Sequence, residues 1–180
     1  MNGRAVLLVV ALVVLAGCVT GTPNGDDGTD ANGTQTTTQH TTTNVEENVS
    51  AAFVVDGNRT AVTLEVANSA DERRSGLMYR QSLPQNHGMV FVYDSAEERT
   101  FWMKNTFVPL DIVYVAANGT VVSVAHADPQ PNAADSELRR YESGAPAKYV
   151  VEMRQGFANR TGVGPGAKLV FDDAPPTTEG

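Results

Sequence analysis

The chain has 180 residues and a formal net charge of −8. This length accommodates one domain with extensions, and the negative charge makes duplex nucleic acid an unfavourable partner. Residues 51–172 carry 12 Lys and Arg against 14 Asp and Glu, whereas residues 19–50 carry five acids and no base. The acidity therefore belongs to the extensions. Ten Arg against three Lys, with many Thr and Asp, fit an organism that lives in high salt.

The first 18 residues resemble the export signal of a lipoprotein. Residues 5–17 are apolar over 13 positions, fewer than the roughly 20 needed to span a bilayer, so residues 1–17 are predicted to be a signal peptide. The apolar run ends in Leu15–Cys18 (Leu-Ala-Gly-Cys), which resembles a lipobox, and Cys18 is the only Cys of the chain. The sequence predicts export and a lipid at Cys18 that holds the chain on the outer face of the cytoplasmic membrane. An ordinary signal peptide or a short uncleaved anchor remains an alternative.

Residues 18–50 are predicted to be a disordered tether. Ten of residues 19–50 are Thr, and the segment has too few apolar residues to offset the entropy of ordering. A flexible chain of this length spans roughly 30 Å, enough to hold a small domain away from a membrane. Five Asn-x-Ser/Thr sequons are candidate glycosylation sites, namely Asn32, Asn48, Asn58, Asn118 and Asn159.

Residues 51–172 are predicted to form a β-rich domain followed by a disordered tail, residues 173–180. A hairpin is expected from residues 51–56 and 60–67 around Gly57-Asn58. Asn118-Gly119 predicts a two-residue type I′ turn between residues 110–117 and 120–127. Further strands are expected at residues 88–93, 100–104, 147–153 and 168–171. Residues 94–99 are predicted to be a polar turn, and residues 128–146 a long loop of the kind that often carries function.

Two short helices are predicted within this domain. Ser69 followed by Glu72 is a capping box, which predicts a helix from residue 70 to about residue 77. Residues 155–160 predict one or two further turns. Arg73, Arg74 and Arg80 form a basic edge, and a solvated helix face is favoured over an anion site.

These elements amount to seven or eight short strands with one or two short helices. About 120 residues bury roughly two thirds of their surface, so one core without disulfides suffices. The predicted fold class is mostly β, with a minor α component, as a compact barrel or sandwich.

Several segments of the domain together resemble the DUF192 family, a domain family of unknown function. The most specific are Phe101–Thr106 (Phe-Trp-Met-Lys-Asn-Thr) and Pro109–Ile112 (Pro-Leu-Asp-Ile), and similar matches occur at residues 65–67, 76–80, 88–92 and 147–152. The resemblance implies a compact, mostly β fold, often exported or anchored, with no assigned activity. Many relatives carry one or two Cys in the stretch that matches residues 127–141, and this chain has none there.

The domain contains no familiar catalytic template, so no catalytic residue is predicted with any specificity. Asp111 and Glu152 are candidate general acids or bases, because both lie in apolar strands where an unpaired carboxylate is costly. Asp111 is expected to accept backbone N–H groups from the turn at Lys104–Thr106, or to pair with Lys104. The alternative is a polar pocket lined by these side chains. The candidate binding residues are Trp102, Lys104, Asn105, Asp111 and Tyr141.

Three functions follow from these observations. The first is a surface binding or accessory module on a lipid tether, with a small molecule or a glycan as ligand. The second is an enzyme of unknown reaction that uses Lys104 and Asp111, and the third is a structural component of the envelope. No cofactor and no metal are predicted, since two His in the domain are too few for a His-rich zinc site. The oligomeric state is left open.

Overall fold

The computed structural model describes residues 47–179. They form nine strands and two short helices, in the order β1 (Asn48–Val55), β2 (Asn58–Ala67), α1 (Ala70–Ser75), β3 (His87–Glu97), β4 (Thr100–Phe101), β5 (Leu110–Val115), β6 (Val121–Ala127), β7 (Tyr141–Glu142), β8 (Ala147–Arg154), α2 (Phe157–Thr161) and β9 (Lys168–Phe171). The predicted signal peptide, Cys18 and most of the predicted tether lie outside the described residues. The mostly β prediction is confirmed.

Seven strands form one sheet in the order β6-β5-β8-β3-β2-β1-β9, and β4 pairs with β7 apart from it. All neighbours are antiparallel except β2 and β3, which are parallel and are joined by a crossover through α1. The sheet curls until its two edges meet. The Val121 N–H donates to the Ala167 carbonyl and the Leu169 N–H to the Gly119 carbonyl, both at 2.8 Å. The edges do not pair along their full length, so the fold is sandwich-like rather than a closed barrel.

Two hydrophobic cores lie on the two faces of the sheet, as the period-two alternation of strand side chains requires. On β3, Val90 and Val92 enter the first core, while Met89 and Phe91 enter the second. The first core also receives Phe157 and Ala158 from α2. The second core is covered by the segments around α1, β4 and β7. Buried polar side chains on either face must therefore find partners among these covering segments or in a cavity.

Both predicted hairpins are present, but their turns differ from the prediction. The first turn is Asp56-Gly57 rather than Gly57-Asn58, because Val55 pairs with Asn58. The second is not type I′, since Gly119 alone has a positive φ, of 78°. The Gly119 N–H donates to the Ala116 carbonyl at 2.9 Å. This makes a three-residue loop, a type I turn followed by a left-handed Gly.

Other predicted boundaries also shift. Residues 94–97, predicted to be a turn, continue β3, which bends through a register shift between Val92 and Glu97. The predicted strand over residues 100–104 shrinks to Thr100–Phe101, with a turn at residues 104–105. Strand β1 begins at Asn48, inside the predicted tether. In the predicted tail, the Glu179 N–H donates to the Asn68 carbonyl at 3.4 Å.

The two helices are held by different caps. In α1 the predicted capping box is confirmed, with the Ser69 hydroxyl accepting from the Glu72 N–H and the Glu72 carboxylate accepting from the Ser69 N–H. These bonds lower the pKa of Glu72. Helix α2 begins after Gly156, which has no side chain to cap it. Its capping acceptor is the carboxylate of Asp111 on β5.

Candidate functional site

An open pocket of about 110 Å³ lies on the second-core face of the sheet, beneath α1 and the segment after β4. We call it the Glu152 pocket. It is lined by Arg73, Arg74, Ser75, Gly76, Leu77, Met78, Phe91, Tyr93, Thr100, Phe101, Trp102, Lys104, Thr106 and Glu152.

Glu152 is the only acid among these lining residues, and it is 5% exposed. Glu152 lies on β8, and its cross-strand neighbours are Met89 on β3 and Ile112 on β5, both buried in the second core. Among residues 47–179 no side chain or backbone group forms a hydrogen bond or an ion pair with its carboxyl group. Every side-chain N or O atom of the described residues that is shut off from solvent has a hydrogen-bond partner, so the unpartnered oxygens of Glu152 are in contact with the open space of the pocket.

Burial determines the charge of Glu152. The loss of hydration disfavours the carboxylate and raises the pKa of Glu152 to about 8. At neutral pH the group is therefore mostly protonated, and it carries an O–H that can donate a hydrogen bond.

Aromatic rings form the walls around this carboxyl group. Phe91 and Phe101 meet edge to face with ring centroids 5.0 Å apart, and Phe101 meets Tyr114 at 6.1 Å. The half-buried Trp102 has the Lys104 ammonium 5.4 Å from its ring centroid. These rings supply an apolar surface on which a ligand could rest.

Arginine side chains lie beside the rings of Trp102 and Tyr93. The Arg140 guanidinium lies 4.1 Å from the Trp102 ring, and the guanidinium groups of Arg99 and Arg73 lie 3.8 and 5.2 Å from the Tyr93 ring. Burial also raises the pKa of Tyr93. The pocket thus combines a neutral acid, aromatic walls and several positive charges.

Asp111 lies on the other face of the sheet and is fully buried. Its Oδ2 accepts the Ala158 N–H at 2.8 Å, and its Oδ1 lies 2.7 Å from His126 Nδ1. Asp111 therefore supplies the cap that α2 lacks at Gly156. Its partners are not the ones expected, since neither Lys104 nor the turn at residues 104–106 contacts it.

Lys104 and Asn105 bind other groups. Lys104 pairs with Asp135 on the long loop. Asn105 Nδ2 donates to the Tyr79 hydroxyl at 2.8 Å, and the Tyr79 N–H donates to the Asn105 carbonyl at 2.8 Å. Both residues have positive φ, 51° for Asn105 and 64° for Tyr79. The predicted polar pocket of Lys104, Asn105 and Asp111 is therefore not formed.

The other predicted binding residues divide between the pocket and the core. Trp102 and Lys104 line the Glu152 pocket. Tyr141 is buried in the second core, where its carbonyl accepts the Tyr114 hydroxyl at 2.7 Å. Burial strongly raises the pKa of Tyr114.

No sequence pattern predicts the pocket. A carboxyl group in an apolar strand makes Glu152 a candidate acid, and Arg73 lies on a helix edge that is predicted to be solvated. No motif or periodicity singles out Tyr93 as a site residue. No local pattern places these three residues together, because they come from α1, β3 and β8.

The domain sequons within the described residues, Asn48, Asn58, Asn118 and Asn159, are exposed and do not line the Glu152 pocket. No cluster of three or more His, Cys, Asp or Glu suited to a metal ion occurs in residues 47–179. Within the same range, no helix has the length and apolarity needed to cross a membrane.

The model of the family DUF192, described as "Uncharacterized ACR", matches residues 51–171. The chain belongs to the DUF192 family. The residues of the Glu152 pocket all fall inside the matched region, so the pocket is part of the DUF192 domain. No curated protein matches the chain.

Two solved structures are similar to this DUF192 chain. One is a protein from Sinorhizobium meliloti 1021 described as a putative transcription regulator, with 31% identity and a TM-score of 0.64, covering 70% of this chain and 95% of that one. The other is a protein of unknown function from Novosphingobium aromaticivorans DSM 12444, with 31% identity and a TM-score of 0.61. The match covers 68% of this chain and 84% of that one. Both similarities extend over most of the solved chains.

Proposed function

We propose that this DUF192 domain is a binding module that takes a small polar molecule into the Glu152 pocket. The observation that carries the proposal is the buried Glu152 carboxyl group, which has no partner among residues 47–179 and faces an open pocket. A protein that needed only a packed core would gain stability from an apolar residue at this position. Retaining an acid there is accounted for by a ligand that supplies its missing hydrogen bond.

The volume of the pocket limits the ligand. About 110 Å³ is well below the roughly 300–1,000 Å³ of pockets that take drug-sized ligands. A cavity of about 150 Å³ takes one benzene ring, so this open pocket fits at most a molecule with a single small ring, or one functional group of a larger molecule.

The N-terminal sequence supports a location of this binding module at the cell surface. In our proposal the chain is exported, cleaved before Cys18 and lipidated there, and residues 18–47 hold the domain away from the membrane. The exposed sequons would carry glycans without obstructing the Glu152 pocket. The chain would then sample small solutes outside the cell.

Trp102 offers a direct test, because it is the only Trp of the chain and it lines the pocket. The purified chain is titrated with acetate, benzoate, benzamide, inorganic phosphate and glucose while Trp102 fluorescence is recorded. We expect a saturable change with at least one of these probes, and its loss in Ser75→Phe, which fills the pocket mouth from an exposed position. Asp173→Phe, on the exposed tail, is the matched control.

A flat response to all five probes, with nothing bound in native mass spectrometry of the purified chain, would overturn the binding function. It would favour the structural envelope role instead. A response that persists in Ser75→Phe would place binding outside the Glu152 pocket and would overturn the proposal in the same way.

A further inference from the structure

The cations that line the Glu152 pocket are not equivalent. Arg74 pairs with Asp71 at the surface, and Lys104 pairs with Asp135. Arg73, which is half-buried, forms no salt bridge with any residue of the described range. Arg73 is therefore the one lining cation without a salt bridge to a carboxylate of residues 47–179, although its charge acts with the Ser69 hydrogen bonds to lower the pKa of Glu72.

The position of Arg73 is nevertheless fixed. Its Nη1 donates to the carbonyls of Asn68 and Val92, the latter at 3.0 Å, and its guanidinium lies beside the Tyr93 ring. A guanidinium has five N–H donors, and no acceptor among residues 47–179 occupies those of Nη2 or Nε. A positively charged donor is thus held in place at the pocket with part of its hydrogen-bonding capacity unused.

Glu152 adds a second donor of a different kind. Because burial keeps its carboxyl group mostly protonated at neutral pH, it does not repel an anion and can donate its O–H to one. The charged and titratable groups around it are Arg73 and Arg74 from α1, Tyr93 from β3, Lys104 from the segment after β4, and Tyr114 on β5. Two acids lie further out, Glu72, which interacts with Arg73, and Glu142, which interacts with Tyr114. Neither lines the pocket, so no lining group other than Glu152 is an acid.

These groups distinguish between classes of ligand. A cation would meet three like charges on the pocket wall. A neutral sugar would leave the Arg73 charge unpaired in a half-buried position. Inorganic phosphate would pair with Arg73 but would gain nothing from Phe101 and Trp102. An organic acid satisfies both the donors and the aromatic walls.

We propose that the ligand of the Glu152 pocket is a small organic carboxylate. Its carboxylate accepts hydrogen bonds from the Arg73 guanidinium and from the Glu152 carboxyl group, and its hydrocarbon part rests on Phe101 and Trp102. This assignment depends on the proposed binding function and adds the ligand class to it.

The test compares probes that differ in one property. Benzoate and benzamide share shape and differ in charge, and inorganic phosphate is an anion without an apolar part. We expect benzoate at pH 6 to bind at least tenfold more tightly than either. Arg73→Gln should weaken benzoate binding at least tenfold, whereas Arg59→Gln, which removes a charge paired with Asp172 outside the pocket, should change it less than threefold.

The pH supplies a second readout. Benzoate binding should weaken about tenfold between pH 6 and pH 9.5, because Glu152 then ionises and repels the ligand carboxylate. Glu152→Gln keeps a donor without a charge, so its benzoate affinity should vary less than threefold over the same interval. Fluorescence and calorimetric titrations give both comparisons, and the Glu152→Gln chain also corrects for any effect of pH on Trp102.

The outcomes separate the ligand class from the binding function. If benzamide or glucose bound as tightly as benzoate and Arg73→Gln had no effect, the carboxylate assignment would fail while the pocket remained a binding site. Equal binding of phosphate and benzoate would also reject the organic acid, leaving an anion site. If no probe bound, both the ligand class and the binding function would be rejected.

Discussion

Glu152 and Asp111 are two buried carboxyl groups in the same sheet with opposite environments. Asp111 has a backbone N–H and an imidazole as partners, whereas Glu152 has Met89 and Ile112 as cross-strand neighbours. A buried acid with donors stabilises the structure around it, while one without donors shifts toward its neutral form. The same residue chemistry is therefore structural on one face and available to a ligand on the other.

The protonation of Glu152 should appear in the stability of the chain. Burial raises its pKa from 4.5 to about 8, so between these pH values the folded chain holds a proton that the unfolded chain has lost. The stabilisation is full below pH 4.5 and is lost as the pH rises through 8, at about 1.4 kcal/mol per pH unit. Urea unfolding at pH 5, 6.5 and 8 should show this slope, and Glu152→Gln should remove it.

Glu98→Gln is the control for that experiment, because Glu98 is exposed and its removal should leave the slope in place. Equal slopes for the wild-type chain and Glu152→Gln would mean that Glu152 is already ionised in the folded protein.

Removing the Asp111 carboxylate should destabilise the first core. Asp111→Ala leaves the Ala158 N–H buried without its acceptor and removes the cap of α2, and an unsatisfied buried donor costs about 1–3 kcal/mol. We expect a loss of this size in urea unfolding, against less than about 0.5 kcal/mol for the exposed Asp173→Ala. Wild-type stability in Asp111→Ala would contradict the capping role.

At the scale of elements, close strand packing supports the floor of the pocket. Gly88 on β3 faces Met153 of β8. A Cβ added at Gly88 would lie 2.3 Å from the Glu152 carbonyl oxygen and 2.5 Å from Met153 Sδ. The backbone atom cannot move aside without shifting β8, so the position of Glu152 depends on a residue without a side chain.

Gly88→Ala should therefore destabilise the domain by roughly 1–3 kcal/mol, as overpacked cores do. Gly164→Ala is the matched control, because no atom lies within 4 Å of an added Cβ there and its φ is not in the left-handed region. Thermal unfolding of the two variants and the wild type makes the comparison. A Gly88→Ala chain as stable as Gly164→Ala would show that the β3–β8 spacing can adjust.

The elements themselves were largely predictable, since their signals are local. Alternating apolar residues predict β2, a run that is apolar on both faces except for Asp111 predicts β5, and Ser69 with Glu72 predicts α1. The mistakes concern turns and bends. Asn118-Gly119 resembled a two-residue turn, but the register of β5 with β6 leaves three residues in the loop. Such differences of one residue depend on how strands pair, which neighbouring residues alone do not determine.

At the scale of the molecule, the proposed anchor and the pocket belong to separate parts of the chain. The anchor is testable by itself. Cys18→Ser should move the protein from the membrane fraction to the medium, because no lipid can then be attached. Fractionation followed by immunoblotting measures this, and Thr38→Ala, which lies in the predicted tether and outside every sequon, should leave the distribution unchanged. Full retention of Cys18→Ser in the membrane would reject the lipid anchor.

The sequence by itself determined the class of the fold, the positions of most strands and helices, and the family. Each of these depends on residue types, periodicities and short motifs that are close together along the chain. Only the tertiary structure decided the site. Asp111 finds Ala158 across 47 positions, and Arg73, Tyr93 and Glu152 meet because β3 and β8 are neighbours beneath α1. The order of the strands and the curling of the sheet bring these groups together, and no short stretch of residues determines either of them.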